Sequence, residues 1–181
     1  PDTELIIEQV LKIYLKDSQL QVLDIGTGSG CILLSILKER PNFYGTGIDI
    51  SKKSINVSKL NAKQLNLTSR AKFFHSSVDN FKIGKYDIIV SNPPYIKLLD
   101  LKYLEKDIIN FEPRLALNGG FDGFSKIRKV IIKAAKLIKK NGKLILEIGF
   151  SQKEKVKKIL KKNSFYVNKV LKDYGKKENN A

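Results

Sequence analysis

The stretch Gln21-Val22-Leu23-Asp24-Ile25-Gly26-Thr27-Gly28-Ser29-Gly30 decides the fold. Its first five residues read as a short buried strand, and three glycines follow at alternate positions. Missing Cβ atoms let the backbone turn tightly there and approach a ligand. A helix from about residue 30 to 39 follows, ended by Pro41-Asn42. A strand, a glycine turn and a helix in that order open a parallel α/β unit.

Before that unit, Leu5, Ile6, Val10, Ile13 and Tyr14 mark the stripe of a first helix capped by Asp2 or Thr3. Residues 43–49 form the second strand, Ser51 caps a helix reaching about Leu65, and residues 71–75 and 86–91 are the third and fourth strands. Residues 97–123 break the alternation with Pro113, Gly119, Gly120 and Gly123; long irregular insertions of this kind are more often functional than ornamental. Ile127, Val130, Ile131, Ala134, Ala135 and Ile138 then fall at helical spacing, and Asn141-Gly142 stops that helix before a strand at 143–148. Val156, Ile159 and Leu160 mark a last helix, and residues 165–171 a last strand. Strands joined by helical crossovers are parallel, so the expected fold is α/β: a doubly wound, mostly parallel sheet with helices on both faces.

With 181 residues, 42% hydrophobic and 29% charged, the chain can bury one core and reads as one domain. No apolar run approaches the roughly 18 to 20 residues of a membrane span, and Pro1-Asp2-Thr3-Glu4 does not resemble a secretion signal. Single Cys31 and single His75 exclude an internal disulfide and a His/Cys zinc cluster, so no metal is expected and a cytoplasmic setting fits. Cys31 is expected to pack as a small apolar side chain, and His75 to be structural or solvent-facing. The absence of methionine, even at position 1, suggests an excerpt of a longer chain or a processed product. The net charge of +16 points to nucleic acid as a partner, but only four residues are arginine, and a solvated lysine surface is the favoured reading.

Ligands of doubly wound sheets bind outside the carboxyl ends of the strands, where strand order reverses. The unusual residues fall there: residues 24–30 after the first strand, Asp49 at the end of the second, residues 75–79 after the third, and Asn92-Pro93-Pro94-Tyr95 after the fourth. A dinucleotide fingerprint begun at Gly26 would want Gly or Ala where Cys31 stands, which weakens a nicotinamide reading. Asp24 and Asp49 suit a nucleoside with a free ribose diol and a cationic group nearby, Asp49 accepting both hydroxyls; alone, Asp49 reads equally as a helix-capping carboxylate. In Asn92-Pro93-Pro94-Tyr95, two prolines stiffen a corner and leave outward carbonyls beside an amide and an aromatic face. A conjugated NH2 group is a weak nucleophile with two hydrogens needing acceptors. Asn92 Oδ1 and the Pro93 carbonyl can take both, aiming the nitrogen lone pair at a methyl carbon about 3 to 3.5 Å away, while Tyr95 covers one face. Without a ligand, the loop and the corner would be only a tight turn and a rigid bend.

The glycine loop with its two aspartates resembles the S-adenosylmethionine site of class I methyltransferases. The Asn-Pro-Pro-Tyr corner is shared by enzymes that methylate glutamine, adenine in DNA or guanine in RNA. Residues 1–4, 22–30 and 89–96, Glu112-Pro113-Arg114-Leu115-Ala116-Leu117 with Gly119-Gly120 and Asp122-Gly123, and Leu146-Glu147-Ile148-Gly149 closely resemble the HemK/PrmC family of protein-(glutamine-N5) methyltransferases. The resemblance covers nearly the whole chain. It implies the class I fold, S-adenosyl-L-methionine as cofactor with S-adenosyl-L-homocysteine as product, and the glutamine of the Gly-Gly-Gln loop of peptide-chain release factors as substrate. It further implies cofactor contacts from Asp24, Gly26, Thr27, Gly28, Ser29, Gly30, Asp49, Ile50, Ser77, Val78 and Asn92. Asn92, Pro93, Pro94 and Tyr95 would hold the glutamine, with Asn92, Pro93 and Tyr95 catalytic; Arg114 would dock the substrate loop or serve a structural ion pair. Arg114 to Leu117 favours the release-factor branch over the relative that modifies ribosomal protein L3.

The chain departs from the family in three places. The family's N-terminal helical domain has no counterpart, so residues 1–181 are expected to be a catalytic domain alone, and a monomer. The aromatic residue near the adenine is replaced by Ser76-Ser77-Val78-Asp79-Asn80, in which Val78 offers an apolar wall. The family's closing antiparallel strand, after Asp173-Tyr174-Gly175, has no counterpart either. Methylation of nucleic-acid amino groups and a noncatalytic S-adenosylmethionine-binding remnant are the alternative functions.

Overall fold

The computed structural model describes residues 2–94 and 123–171. Tyr95, Arg114 and the insertion between them lie outside the described residues, as does everything after Leu171. The elements are α1 (Asp2–Ile13), β1 (Gln21–Ile25), α2 (Cys31–Glu39), β2 (Tyr44–Asp49), α3 (Lys52–Gln64), β3 (Ala71–His75), β4 (Tyr86–Ser91), α4 (Ser125–Leu137), β5 (Ile138–Leu146), a short 3-10 turn (Phe150–Gln152) and α5 (Lys153–Lys162).

β1 is buried from Val22 to Ile25, because a central parallel strand is covered on both faces. The sheet runs β3-β2-β1-β4-β5 with every pairing parallel. The chain builds outward from β1 to β3, then returns to place β4 on the other side of β1, so strand order reverses between β1 and β4. Side chains alternate between two cores, as the period of a strand requires. Val22, Ile88 and Val90 meet Ile6 and Val10 of α1, Leu33 and Leu37 of α2 and Ile55 of α3. Leu23, Ile25 and Ile89 meet Val130, Ala134 and Leu137 of α4, and a third cluster joins Phe124, Ile127 and Ile131 to Val156 of α5. Each fully buried aliphatic side chain contributes roughly 1.5 to 3 kcal/mol of transfer free energy, so two continuous cores hold the sheet rigid beneath its carboxyl edge.

Three expectations are corrected. First, α4 ends at Leu137 and β5 begins at once; its register to β4 shifts between Ile138, opposite Tyr86, and Lys143, opposite Ile88. Asn141 at φ 64 lies in that irregularity, so the Asn-Gly pair shapes a bulge rather than stopping a helix. Second, residues 165–171 form no strand. Among the described residues, only Phe165 of this segment packs on the core, while Tyr166 is 94% exposed and Val167, Val170 and Leu171 are also exposed, so no apolar face of the segment is held to the described sheet. Third, Cys31 is exposed: it opens α2 on the side opposite Ile32, Leu33, Ile36 and Leu37. No helix among the described residues is long and apolar enough to cross a membrane.

Candidate active site

The glycine loop is fixed from three sides. Gly26 and Thr27 donate their N–H groups to the Ile48 carbonyl at 2.9 Å each, turning the chain over the end of β2. Gly30 N–H then donates to the Thr27 carbonyl at 2.8 Å, and Leu34 N–H to the Gly30 carbonyl at 2.8 Å, which starts α2. Gly28 N–H donates to Asp49 Oδ2 at 2.9 Å, while Ser51 N–H donates to Asp49 Oδ1 at 2.8 Å. Asp49 thus ties the loop to the start of α3, and each oxygen keeps a further lone pair for a ligand hydroxyl. The glycines serve different ends. Gly28 has φ 56 and nothing within 4 Å of the place a Cβ would occupy, so the loop's outer side is an open cradle. At Gly30, with φ 84, a Cβ would lie 3.1 Å from Leu34 Cδ1, 3.2 Å from Ser58 Cβ and 3.3 Å from Phe73 Cζ, so this glycine serves packing.

Asp24, expected among the cofactor contacts, is fully buried beneath the loop. Thr27 donates its hydroxyl to Asp24 Oδ2 at 2.7 Å, so the acid reaches the loop through Thr27. Its Oδ1 is buried without a hydrogen-bond partner among the described residues. Burial pushes its pKa up to about 7; the Asp49 charge adds to the rise, while the Thr27 hydroxyl and the nearby Leu33 N–H oppose it.

Register aligns the rest. Ile25 pairs with Ile48, and Asp24 with Val90, so Gly26 is level with Asp49 on one side and with Asn92 on the other. Asp49 and Asn92 therefore flank the glycine loop at two strand spacings, about 10 Å apart. Ser91, which the sequence reading passed over, joins the two halves: its buried hydroxyl donates to the Ile25 carbonyl at 2.6 Å, immediately before Gly26 and immediately before Asn92. Its own carbonyl accepts the Glu147 N–H at 3.1 Å, tying the corner to the end of β5. Asn92 and Pro94 are half-buried and Pro93 is buried.

On the β3 side, exposed His75 donates through Nε2 to the Ile50 carbonyl at 2.9 Å, and Ser76 N–H donates to the Asp49 carbonyl at 2.9 Å. Ile50 is 64% exposed beside the loop, and half-buried Ser77 and Val78 begin the turn after β3. Lys133 of α4, also missed, holds that turn from below: its buried ammonium donates to the Asp79 carbonyl at 3.0 Å and the Phe81 carbonyl at 2.6 Å. Its signal was a lysine on the apolar stripe with Val130, Ala134 and Leu137; that of Ser91 was a hydroxyl ending an apolar strand.

A five-stranded parallel sheet ordered 3-2-1-4-5, carrying a glycine loop and a strand-end carboxylate at its switch point, defines the class I methyltransferase fold. The chain belongs to the family described as the methyltransferase domain, whose model matches residues 16–180. The HemK/PrmC resemblance agrees with its relatives: it is 38% identical over 162 residues to the release factor glutamine methyltransferase of Caulobacter vibrioides, covering 89% of this chain and 56% of that protein. It is 40% identical over 158 residues to the bifunctional methyltransferase of Rickettsia felis, covering 87% of this chain and 30% of that protein. The chain thus spans about half the length, or less, of these relatives. Among solved structures it is similar to a ribosomal protein L11 methylase from Lactobacillus delbrueckii, with a TM-score of 0.66, 21% identity, and coverage of 94% of this chain and 71% of that one; this likeness concerns the fold.

Proposed function

We propose that this chain is a single catalytic domain that transfers a methyl group from S-adenosyl-L-methionine to the side-chain amide nitrogen of the glutamine in the Gly-Gly-Gln loop of peptide-chain release factors. The observation that carries the reading is the alignment of Asp49, Gly26 and Asn92 across the switch point. The residues fit the cofactor: the open side of Gly28 admits a ligand against bare backbone, Asp49 keeps lone pairs for a ribose diol, and Ile50 and Val78 offer apolar contact to a base. When bound there, S-adenosylmethionine supplies an electrophilic methyl group on a sulfonium.

The chain's own residues supply orientation. Asn92 Oδ1 and the Pro93 carbonyl accept the two amide hydrogens of the glutamine, which turns the nitrogen lone pair toward the cofactor side and favours the positive charge that nitrogen acquires during transfer. Pro93 and Pro94 keep the corner stiff and bring no N–H to compete for those acceptors. No strong base is needed, because the methylated nitrogen is acidic and releases its proton to water. Tyr95, covering one face of the flat amide, and Arg114, docking the Gly-Gly-Gln loop, complete the proposed substrate contacts. Ser91 is a positioning residue that sets the corner against the glycine loop.

Incubation with methyl-labelled S-adenosylmethionine and purified release factor, with DNA and RNA in parallel, tests the reading by peptide mass spectrometry. Label on the Gly-Gly-Gln glutamine is expected. Label on nucleic acid alone would replace this reading with amino-group methylation of a base, and cofactor binding without transfer to any of them would make the chain a binding remnant.

A further inference from the structure

The positive charge is segregated along the chain. Residues 2–94, which carry α1 to α3 and the glycine loop, hold twelve basic and nine acidic residues. Residues 123–171, which supply α4, β5 and α5, hold fifteen basic and two acidic ones, a net +13 of the chain's +16. A compositional preference for lysine acts along a whole sequence and would not leave one half nearly balanced. α4 and α5 share the third core cluster and so lie side by side on one face of the sheet. Lys126 and Lys136 on α4, Lys139 and Lys140 at the start of β5, and Lys158, Lys161 and Lys162 on α5 are all exposed. Among the described residues Asp79 pairs with Lys129, Asp87 with Lys139 at 2.8 Å, and Glu154 with Lys157 at 3.1 Å, which leaves Lys126, Lys136, Lys140, Lys158, Lys161 and Lys162 outside these ion pairs. A surface of one sign repels itself and lowers stability, a cost that a polyanionic partner offsets.

We propose that the α4–β5–α5 face is a docking surface for the phosphate backbone of nucleic acid, bound without reading its sequence and separately from methyl transfer. Lys158 and the Lys161/Lys162 pair recur about one helical turn apart, a spacing of roughly 5 Å that lets successive ammonium groups meet successive phosphates. Base recognition favours the arginine fork, and Arg128 is the single arginine among these residues. Lysine ammoniums act as point charges on phosphate oxygens, so binding follows counterion release rather than sequence.

Fluorescence anisotropy with a labelled RNA hairpin of arbitrary sequence, titrated over a range of salt, tests this. Affinity should fall steeply and log-linearly with salt, with a slope of about −4 or steeper if at least five lysines each displace a counterion. The triple variant Lys158→Glu/Lys161→Glu/Lys162→Glu should weaken binding at least tenfold. The charge-matched control Lys52→Glu/Lys53→Glu/Lys59→Glu on α3 should change it less than about twofold, because its lysines lie on the other face. A second face variant, Lys126→Glu/Lys136→Glu/Lys140→Glu, guards against a folding defect in the first, with thermal melting as the check. Equal losses in face and control variants would reduce the effect to net charge and overturn the proposal. So would an absence of hairpin binding at low salt, or binding only to vesicles of anionic lipid or to a polyglutamate peptide. None of these readouts depends on methyl transfer, so the outcome is distinguishable from that of the enzymatic reading.

Discussion

Gly28 and Gly30 lie two residues apart with similar backbone conformations and opposite surroundings, so one substitution should have two different outcomes. Alanine at either position meets the strain of a left-handed backbone, roughly 1 to 2 kcal/mol. At Gly28 nothing else is touched, because no atom lies within 4 Å of the new Cβ, which instead projects into the cradle. Gly28→Ala should therefore melt only a few degrees lower yet bind S-adenosylmethionine at least tenfold more weakly by calorimetry. Gly30→Ala adds crowding by Leu34, Ser58 and Phe73, and its larger loss should be of stability. Equal effects of the two on cofactor affinity would contradict the division between cradle and packing. Asp24 couples its proton to folding. Its carboxyl ordinarily titrates at 3.8, and in the folded chain it holds its proton up to about 7. Between those values the folded state binds more protons than the unfolded one, so this group's contribution to stability falls as pH rises through the window and is level above it. The difference in melting temperature between Asp24→Asn and the native chain should shift in the variant's favour from about pH 4 to about pH 7. A difference constant across that range would contradict a buried, proton-holding Asp24.

Between elements, single side chains do the fastening. Arg70 donates Nη1 to the carbonyls of Arg40 at 3.0 Å and Phe43 at 2.9 Å, and Nη2 to Leu37 at 2.8 Å, closing the end of α2 onto the start of β2. Arg40 donates Nη2 to Leu11 at 2.5 Å and Tyr14 at 3.2 Å, tying α1 to α2. A lysine ammonium cannot span three carbonyls in the fixed geometry of the guanidinium fork, which accounts for arginine at these positions in a lysine-rich chain. Arg70→Lys should cost about 2 kcal/mol, read as a lower urea midpoint at unchanged slope; an unmoved midpoint would contradict the staple. Ser91→Ala should lower both cofactor affinity and turnover while costing about 1 kcal/mol of stability, with Ser91→Thr recovering most of the turnover because it restores the hydroxyl. Loss of stability with kinetics intact would reduce Ser91 to a structural bond.

These fastenings mark the boundary of what the sequence discloses. β1 to β4 and the helices between them were legible because apolar runs and helical spacing carry them, and the glycine loop and proline corner because their chemistry lies in consecutive residues. Ser91 and Lys133 were not, since their partners are backbone carbonyls 66 and 52 to 54 residues away. The segment 165–171 misled for a related reason: strand formation there depends on what lies beside it, and apolar content without a buried face is not enough.

Across the whole molecule, two cores press helices onto both faces of one parallel sheet, and the carboxyl edge of that sheet is left to chemistry. Residues 2–94 are near-balanced in charge and residues 123–171, with α4 and α5, are strongly basic, so charge is spread unevenly around one site. The central claim is that the corner at Asn92 and Pro93, set two strand spacings from Asp49, presents an amide nitrogen to a methyl donor. Single-turnover transfer of labelled methyl to a release factor by Asn92→Ala, with melting temperature measured alongside, tests it most directly. The variant should lose at least a hundredfold in rate, about 2.7 kcal/mol of transition-state stabilisation, with the fold intact. Transfer by the folded variant within a few-fold of the native rate would contradict it.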